Sequence, residues 1–286
     1  MNRVCWGLLF CCFSANAYST PIKIATWNLN WFTIHLPAPA TFPADAPRRV
    51  PADIAALRRY ADHLNADIVA FEEVDGAASA AALFPPEHFN IVTIRENVPQ
   101  QVGLAVRRPI VVTQNADLTA LDTEPSEAKL RLRYGLDATL ALPGGATLRL
   151  LAVHLKTGCH SDPLQNSRRT QCSLLAAQLP PLAAWVRARA AEGTPFALLG
   201  DFNRVMDKPE EISTTLEYAA PLLRVTEGHS DPCWSGGAFI DHIFLGGPAR
   251  GWLVPGSLRV MIYHDNNDAD KDRLSDHCAV SVRLHQ

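Results

Sequence analysis

Short apolar runs separated by polar residues dominate the chain. Residues 23–27, 67–71, 91–94, 102–106, 135–142, 148–153, 196–199, 238–245 and 278–284 are rich in Val, Ile, Leu, Ala and Phe. Runs of this length, bounded by turn-forming residues, predict strands rather than helices. Gly144-Gly145 between two of them predicts a hairpin. Helical spacing occurs in two places. Pro51 opens a segment in which Ile54, Leu57, Ala61 and Leu64 share one face. Residues 168–189 form the second, expected to be broken or kinked at Pro180-Pro181. Residues 36–51 hold five prolines and are predicted as a loop.

Many strands interspersed with a few helices predict layered α/β architecture, and the hairpin argues against a purely parallel sheet. No repeat of fixed period and no long polar linker divides the chain, so residues 18–286 are expected to form a single domain. Residues 1–17 read as a secretory signal: Arg3, an apolar run over residues 4–13, then the small-x-small site Ala15-Asn16-Ala17. Ten apolar residues are too few to span a bilayer. The expected location is therefore secreted or periplasmic, with no stable membrane insertion.

Three of the seven cysteines, Cys5, Cys11 and Cys12, fall in that signal, leaving Cys159, Cys172, Cys233 and Cys278. An even count in an exported chain suggests disulfides. Cys159 and Cys172 flank one polar loop and are the expected pair; Cys233 and Cys278 either pair or are buried thiols. The absence of Cys-x-x-Cys spacing argues against zinc. A hydrophobic content of 48 % and a formal net charge of -3 exclude a disordered chain and a basic nucleic-acid coat protein. They do not exclude a nuclease, which grips phosphate locally.

Polar clusters stand at the ends of the predicted strands: Asn28, Glu72-Glu73, His154, Asp201 with Asn203, Asp241-His242 and Asp276-His277. These are carboxylates, amides and imidazoles, with no nucleophile elbow and no P-loop. Hard oxygen donors suit Mg²⁺ or Mn²⁺, and an ion with a carboxylate base and a histidine is what phosphodiester hydrolysis requires. In the acidic stretch 265–272, Asp268, Asp270 and Asp272 alternate and offer a place for an additional structural Ca²⁺, although no glutamate stands where an EF-hand needs one.

The segments KIATWNLN, DIVAFEEVD, RYGLDATL, LLAVHLK, FALLGDFNR, FIDHIF and LSDHCAV follow one another from residue 23 onward. Together they resemble the endonuclease/exonuclease/phosphatase superfamily, the deoxyribonuclease I-like fold. The resemblance implies a four-layer α/β sandwich, two mixed sheets face to face with helices outside. It implies that Glu73, Asn28 and Asp276 hold a divalent ion and that Asp201 activates water with Asn203 as partner. It implies further that His277, oriented by Asp241, touches the scissile phosphate. His154 matches a histidine at the same strand end, Arg133 an arginine that either supports the strand or touches phosphate, and Glu72 a position where glutamine is common.

Asn30 and Asp75 stand where some relatives carry phosphate-gripping arginines, which leaves the substrate clamp undecided. The expected activity is an exported, metal-dependent endonuclease cleaving nucleic acid by water attack on phosphorus. The alternatives are a phosphatase or phospholipase C-like enzyme acting on inositol phosphates or lipid head groups, and a non-catalytic binding protein on the same scaffold. A monomer is expected, and no protein partner is inferable.

Overall fold

The computed structural model describes residues 20–207, 209–264 and 268–286. The signal assigned to residues 1–17 and part of the acidic stretch therefore lie outside the described residues. In chain order the elements are β1 (Ile22–Phe32), α1 (Pro51–Leu64), β2 (Ile68–Val74), α2 (Gly76–Leu83), β3 (Phe89–Thr93) and β4 (Gln101–Arg107). Then come β5 (Val111–Gln114), β6 (Leu136–Ala141), β7 (Thr147–His154), α3 (Thr170–Ala191), β8 (Phe196–Asp201) and α4 (Glu211–Ala219). The chain ends with β9 (Leu222–Arg224), β10 (Asp241–Gly246), β11 (Arg259–Met261), α5 (Asp268–Arg273) and β12 (Ala279–Leu284).

The strands form two mixed six-stranded sheets, ordered β11-β12-β1-β2-β4-β3 and β5-β6-β7-β8-β10-β9. Side-chain alternation explains the layers. In β1, Ile24 joins the core between the sheets, with Ile68 and Leu104 facing Leu150, Leu199 and Ile243. Its neighbours Ala25 and Trp27 point to the opposite face, where Leu57, Leu64 and Leu83 of α1 and α2 cover them. The second sheet repeats the arrangement, with Val153, Leu198 and Phe244 packed under Leu179, Trp185 and Leu216 of α3 and α4. This is the four-layer sandwich the sequence implied.

Three expectations change. The break at Pro180-Pro181 does not occur: α3 runs unbroken from Thr170 to Ala191 with both prolines inside it. The prolines remove two helix donors, but burial of Leu175, Leu179, Leu182, Trp185 and Val186 on the sheet holds the helix together. The strand expected from residue 238 starts only at Asp241. The acidic stretch is partly helical, since Asp268–Arg273 form α5. Within it Asp270 is buried and paired with Arg273 at 3.3 Å, so it is spent as an internal partner rather than offered to Ca²⁺.

Both cysteine pairs are bonded. Cys159–Cys172 closes the loop after His154, as expected, with Cα atoms 5.0 Å apart. Cys233–Cys278 resolves the open alternative in favour of a disulfide. No helix among the described residues is long and apolar enough to cross a membrane.

Candidate active site

The candidate groups gather because the ends of six strands meet at one edge. β1 and β2 run parallel, and so do β7 and β8, with His154 directly beside Asp201 in the register. β10 is antiparallel to β8 and pairs Asp241 with Asp201. β12 is antiparallel to β1, so the turn before it returns Asp276 and His277 to the same edge. Gly200 makes the β7–β8 approach possible: a Cβ there would lie 1.9 Å from the Val153 carbonyl oxygen.

The β1 side is built on distorted backbone. Pairing between β1 and β2 is interrupted between Asn28 and Phe32. Asn30, Trp31 and Glu73 sit at φ 46°, 57° and 59°, a left-handed region costly for residues with a Cβ. The distortion lets Glu73 contact the β1 edge. Its carboxylate accepts Trp31 N–H at 3.2 Å and the Asn28 amide at 3.3 Å. The interruption leaves carbonyls without strand partners. Arg49, buried, donates to the Leu29 carbonyl at 3.0 Å, to Trp31 at 3.4 Å and to Leu274 at 2.6 Å. Sequence reasoning missed Arg49; the only signal was a basic pair at the end of the proline-rich loop.

The opposite side is tighter. His277 Nδ1 lies 2.7 Å from Asp241 Oδ2, while Nε2 faces Asp201 Oδ2 at 3.8 Å. Asp201 is held by the Asn203 backbone N–H at 2.7 Å, the Asn203 amide at 3.2 Å and the Asn28 amide at 3.0 Å. Ser275 bonds the Asn28 carbonyl at 2.7 Å and accepts His277 N–H at 3.0 Å, tying the two sides together. Tyr263, also missed from the sequence, takes the Trp27 indole N–H and donates to the His277 carbonyl.

His154 lies between the two sides, 3.5 Å from both Glu73 and Asp201. Arg133 is buried and donates to the His154 and Leu155 carbonyls at 3.3 and 3.1 Å, so it supports the end of β7. Asp276 stands beside His277, 4.0 Å from Nε2, with half its side chain exposed. Glu72 faces away from Glu73, fully buried, and accepts the Thr26 hydroxyl at 2.9 Å. Asp75 is engaged by the Thr33 hydroxyl at 2.9 Å and is not positioned as a substitute for a phosphate-gripping arginine.

Charge in this pocket is unbalanced. Burial pushes the carboxyls of Glu73 and Asp241 up, and Asp201 up to about 6. Burial and Arg133 hold His154 neutral. Burial opposes a proton on His277, but the Asp241 and Asp201 carboxylates overcome it and raise its pKa well above the usual value. Among the described residues, donor atoms of Asp201, Asp241 and His277 lie within 4.8 Å of one another. Of the set expected to hold the ion, Glu73 and Asn28 meet directly, while Asp276 flanks His277. Several buried carboxylates beside few cations fit a hard divalent ion, which would supply the missing positive charge.

Residues 25–277 match the family described as the Endonuclease/Exonuclease/phosphatase family. No curated protein sequence matches the chain. Similar solved structures include the human Nocturnin catalytic domain with bound sulfate, at 15 % identity and a TM-score of 0.60, covering 92 % of this chain and 94 % of that one. Truncated TDP2 of Caenorhabditis elegans is 14 % identical with a TM-score of 0.59, covering 93 % and 98 % of the two chains. The 3'-5' exonuclease NExo of Neisseria meningitidis is 18 % identical with a TM-score of 0.58, covering 93 % and 100 %. At these identities the likeness establishes the fold.

Proposed function

The chain belongs to the endonuclease/exonuclease/phosphatase family, and we propose that it is an exported, divalent-metal-dependent phosphodiesterase that cleaves nucleic acid internally. The observation that carries this reading is the meeting of Asn28, Glu73, His154, Asp201, Asn203, Asp241 and His277 at one edge, joined in a chain of polar contacts of 2.7 to 3.8 Å. The Neisseria neighbour, a 3'-5' exonuclease, supports a nucleic-acid substrate. Two disulfides support export, because such bonds persist in oxidising compartments.

The residues divide the work. His277 is held protonated by Asp241 and presents Nε2 toward the phosphoryl oxygens, where a charged donor stabilises developing negative charge. Asp201, fixed by both asparagines, accepts a proton from the attacking water. Neutral His154 supports the carboxylate pair without adding charge. Glu73, with Asn28 and Asp276, would hold the divalent ion, whose charge neutralises the phosphate.

Purified mature protein, assayed on plasmid DNA, RNA, sphingomyelin and inositol phosphates with Mg²⁺, Mn²⁺, Ca²⁺ or chelator, tests the reading. Nicking of plasmid DNA that chelator abolishes and Mg²⁺ or Mn²⁺ restores is expected. Full activity in excess chelator rejects the metal. Hydrolysis confined to the lipid or the inositol phosphates rejects the nucleic-acid assignment.

A further inference from the structure

β3 and β5 are each the outermost strand of their sheet, and they lie on the same flank of the molecule. Between them and α2 runs a groove of about 930 Å³ walled by Ala77, Ala78, Ala81, Ile91, Val111 and Val112. Val111 leaves 60 % of its surface open to solvent there. An open strand edge invites pairing, and proteins ordinarily blunt it with charge, proline or a bulge. β3 (FNIVT) has no charged residue and no proline, and its register with β4 runs uninterrupted from Phe89 to Thr93.

The free backbone groups of this edge are arranged symmetrically. Ile94 N–H donates to the Val102 carbonyl and Arg108 N–H to the His88 carbonyl, which fixes the alternation. Asn90 and Val92 therefore turn their backbone groups to β4, while Phe89, Ile91 and Thr93 turn theirs outward. Two outward groups are already engaged: the Phe89 N–H donates to Pro85 at 2.9 Å, and the Thr93 carbonyl accepts the Gln114 amide at 2.9 Å. Among the described residues, the Phe89 carbonyl, both groups of Ile91 and the Thr93 N–H have no partner. An antiparallel copy of the same strand, centred on Ile91, uses all of these. Ile91 exchanges two bonds with its own copy, and each Thr93 N–H meets a Phe89 carbonyl. The groups that such a pairing would leave idle are the ones already satisfied within the chain. The same register brings Glu87 of one copy level with Arg95 of the other, opposite charges at exposed positions, although Arg95 also pairs with Asp117 at 3.6 Å.

We propose that β3 is a self-pairing edge through which two copies of this chain form a two-fold dimer with one continuous sheet, in place of the monomer expected from the sequence. A dyad normal to the sheet sets α2 beside α2 on one face and β5 beside β5 on the other, which covers both walls of the groove. That cover is needed, because five paired residues a side fall short of the roughly 20–30 a side of a stable interface. β3 and β2 are both antiparallel to β4, so the Thr93 end of β3 points toward the Glu73 edge. Antiparallel pairing then sends the two clefts in opposite directions. Each works alone, whatever ester it cleaves.

Sedimentation velocity of the mature protein over a wide concentration range should show dimer giving way to monomer on dilution. Turnover per chain on plasmid DNA should not change across that transition. Thr93→Pro removes an N–H without a partner in the chain and sets the ring on an open edge, where proline is tolerated. It should raise the dimer dissociation constant by at least about tenfold, the scale of two lost hydrogen bonds, and leave circular dichroism and turnover as in the wild type. Val111→Lys, at an exposed position, carries charge into the groove and should give the same shift even if Thr93→Pro does not fold. Ile91→Cys places facing thiols on the dyad, with Cα atoms about 5.5 Å apart and within disulfide reach, so oxidised glutathione should yield a covalent dimer. A wild-type protein that stays monomeric at every concentration overturns the proposal, even if an extended peptide binds the same edge. A dimer indifferent to Val111→Lys and to a folded Thr93→Pro overturns this surface as the contact, and failure of Ile91→Cys to cross-link overturns the register. Turnover that falls on dissociation overturns the independence of the clefts. Absence of any phosphodiesterase activity rejects the catalytic reading and leaves the dimer standing.

Discussion

The two sides of the cleft are built on different principles. Around Glu73 the backbone is distorted at three residues, and the carboxylate contacts are long, 3.2 to 3.5 Å. Around His277 the β8–β10 pairing is unbroken, a single non-glycine residue, Asn203, is left-handed at φ 52°, and the key contacts are 2.7 Å. A carboxylate meant to bind an ion must keep its lone pairs available, so its protein partners hold it loosely and strained backbone fixes its position instead. Groups that handle protons need fixed partners before substrate arrives, because orientation set in advance is what makes them effective. The distortion on the Glu73 side is stabilised from behind by Arg49, whose guanidinium occupies the carbonyls that the interrupted pairing exposes.

The largest effects should come from removing the proton-handling pair. His277→Ala and Asp201→Ala should each lower turnover by at least about two orders of magnitude, the usual scale for a positioned acid, base or charge-stabilising donor. Circular dichroism should show both variants folded, since both residues lie at strand ends. Near-normal turnover in either one removes that residue from the mechanism and breaks the contrast between the two sides.

A smaller effect should follow from loosening the tight side without dismantling it. Asp241→Asn removes the carboxylate that most strongly raises the pKa of His277, so that burial pushes it down against the Asp201 and Asp276 charges alone. The histidine then loses its proton at lower pH, so the alkaline limb of the rate profile should move to lower pH. The acid limb, where buried Asp201 ionises at about 6, should move down as well, since the Asp241 charge helps to raise it, but by less, because Asp241 is hydrogen-bonded to His277 and not to Asp201. Profiles of kcat against pH for the two proteins decide this, and an unmoved alkaline limb shows that His277 does not act in its protonated form.

The outer loops should separate stability from chemistry. Replacing Cys159 and Cys172 together by serine opens a loop of 13 residues' separation and should cost roughly 2–4 kcal/mol, mainly by freeing the unfolded chain. The loop keeps other ties: Arg204 bonds the Cys159 and Asp162 carbonyls, and Glu211 accepts two backbone N–H groups. Denaturant midpoints should therefore fall while kcat at 25 °C holds. A parallel loss of kcat would make the loop part of the catalytic framework.

What could be read from the sequence follows the same division. Asp201, Asp241 and His277 were legible because each follows or precedes an apolar run that could only be a buried strand, and a sheet collects such ends at one edge. Layered α/β order was legible from strands interspersed with helices, and the four-layer sandwich only from the family resemblance, since Ile24 and Ala25 are both apolar and the sheet buries both of its faces. Helix α2 was not, because five of the eight residues of Gly76–Leu83 are alanine and no polar face sets a period. Helix α4 is short and starts on a glutamate cap, Glu210, that resembles any polar loop residue. Arg49 and Tyr263 were invisible for a different reason. Arg49 serves carbonyls that the β1 distortion exposes 18 and 20 residues away, Tyr263 serves the His277 carbonyl 14 residues on, and no local pattern encodes either. The unbroken α3 shows the converse: the proline signal was real, but packing of one apolar face outweighed it.

The smallest expected effect tests a residue that sits at the contrast's centre yet belongs to neither side. Glu72 is fully buried, its Oε1 takes the Thr26 hydroxyl and its Oε2 has no partner. Burial, then the nearby Asp241 charge, raises its pKa well above the usual 4.5, against the opposing Thr26 bond. The folded protein therefore binds this proton more tightly than the unfolded chain does. Stability from that preference is complete below the unfolded pKa and is lost as pH rises toward the folded one. A neutral carboxyl in this place has nearly the shape and hydrogen-bonding capacity of a glutamine amide. Glu72→Gln should leave kcat within about twofold, far below the losses from displacing a positioned catalytic group. Its melting temperature should gain on the wild-type protein progressively as pH rises above about 4.5, and the two should converge in acid. Melting curves between pH 4 and pH 9 measure the difference directly. A gap that shrinks toward neutral pH would mean that Glu72 is ionised in the folded protein and held by its neighbours, and the tight side would then extend one residue further, to the strand position next to Glu73, the glutamate proposed to bind the ion.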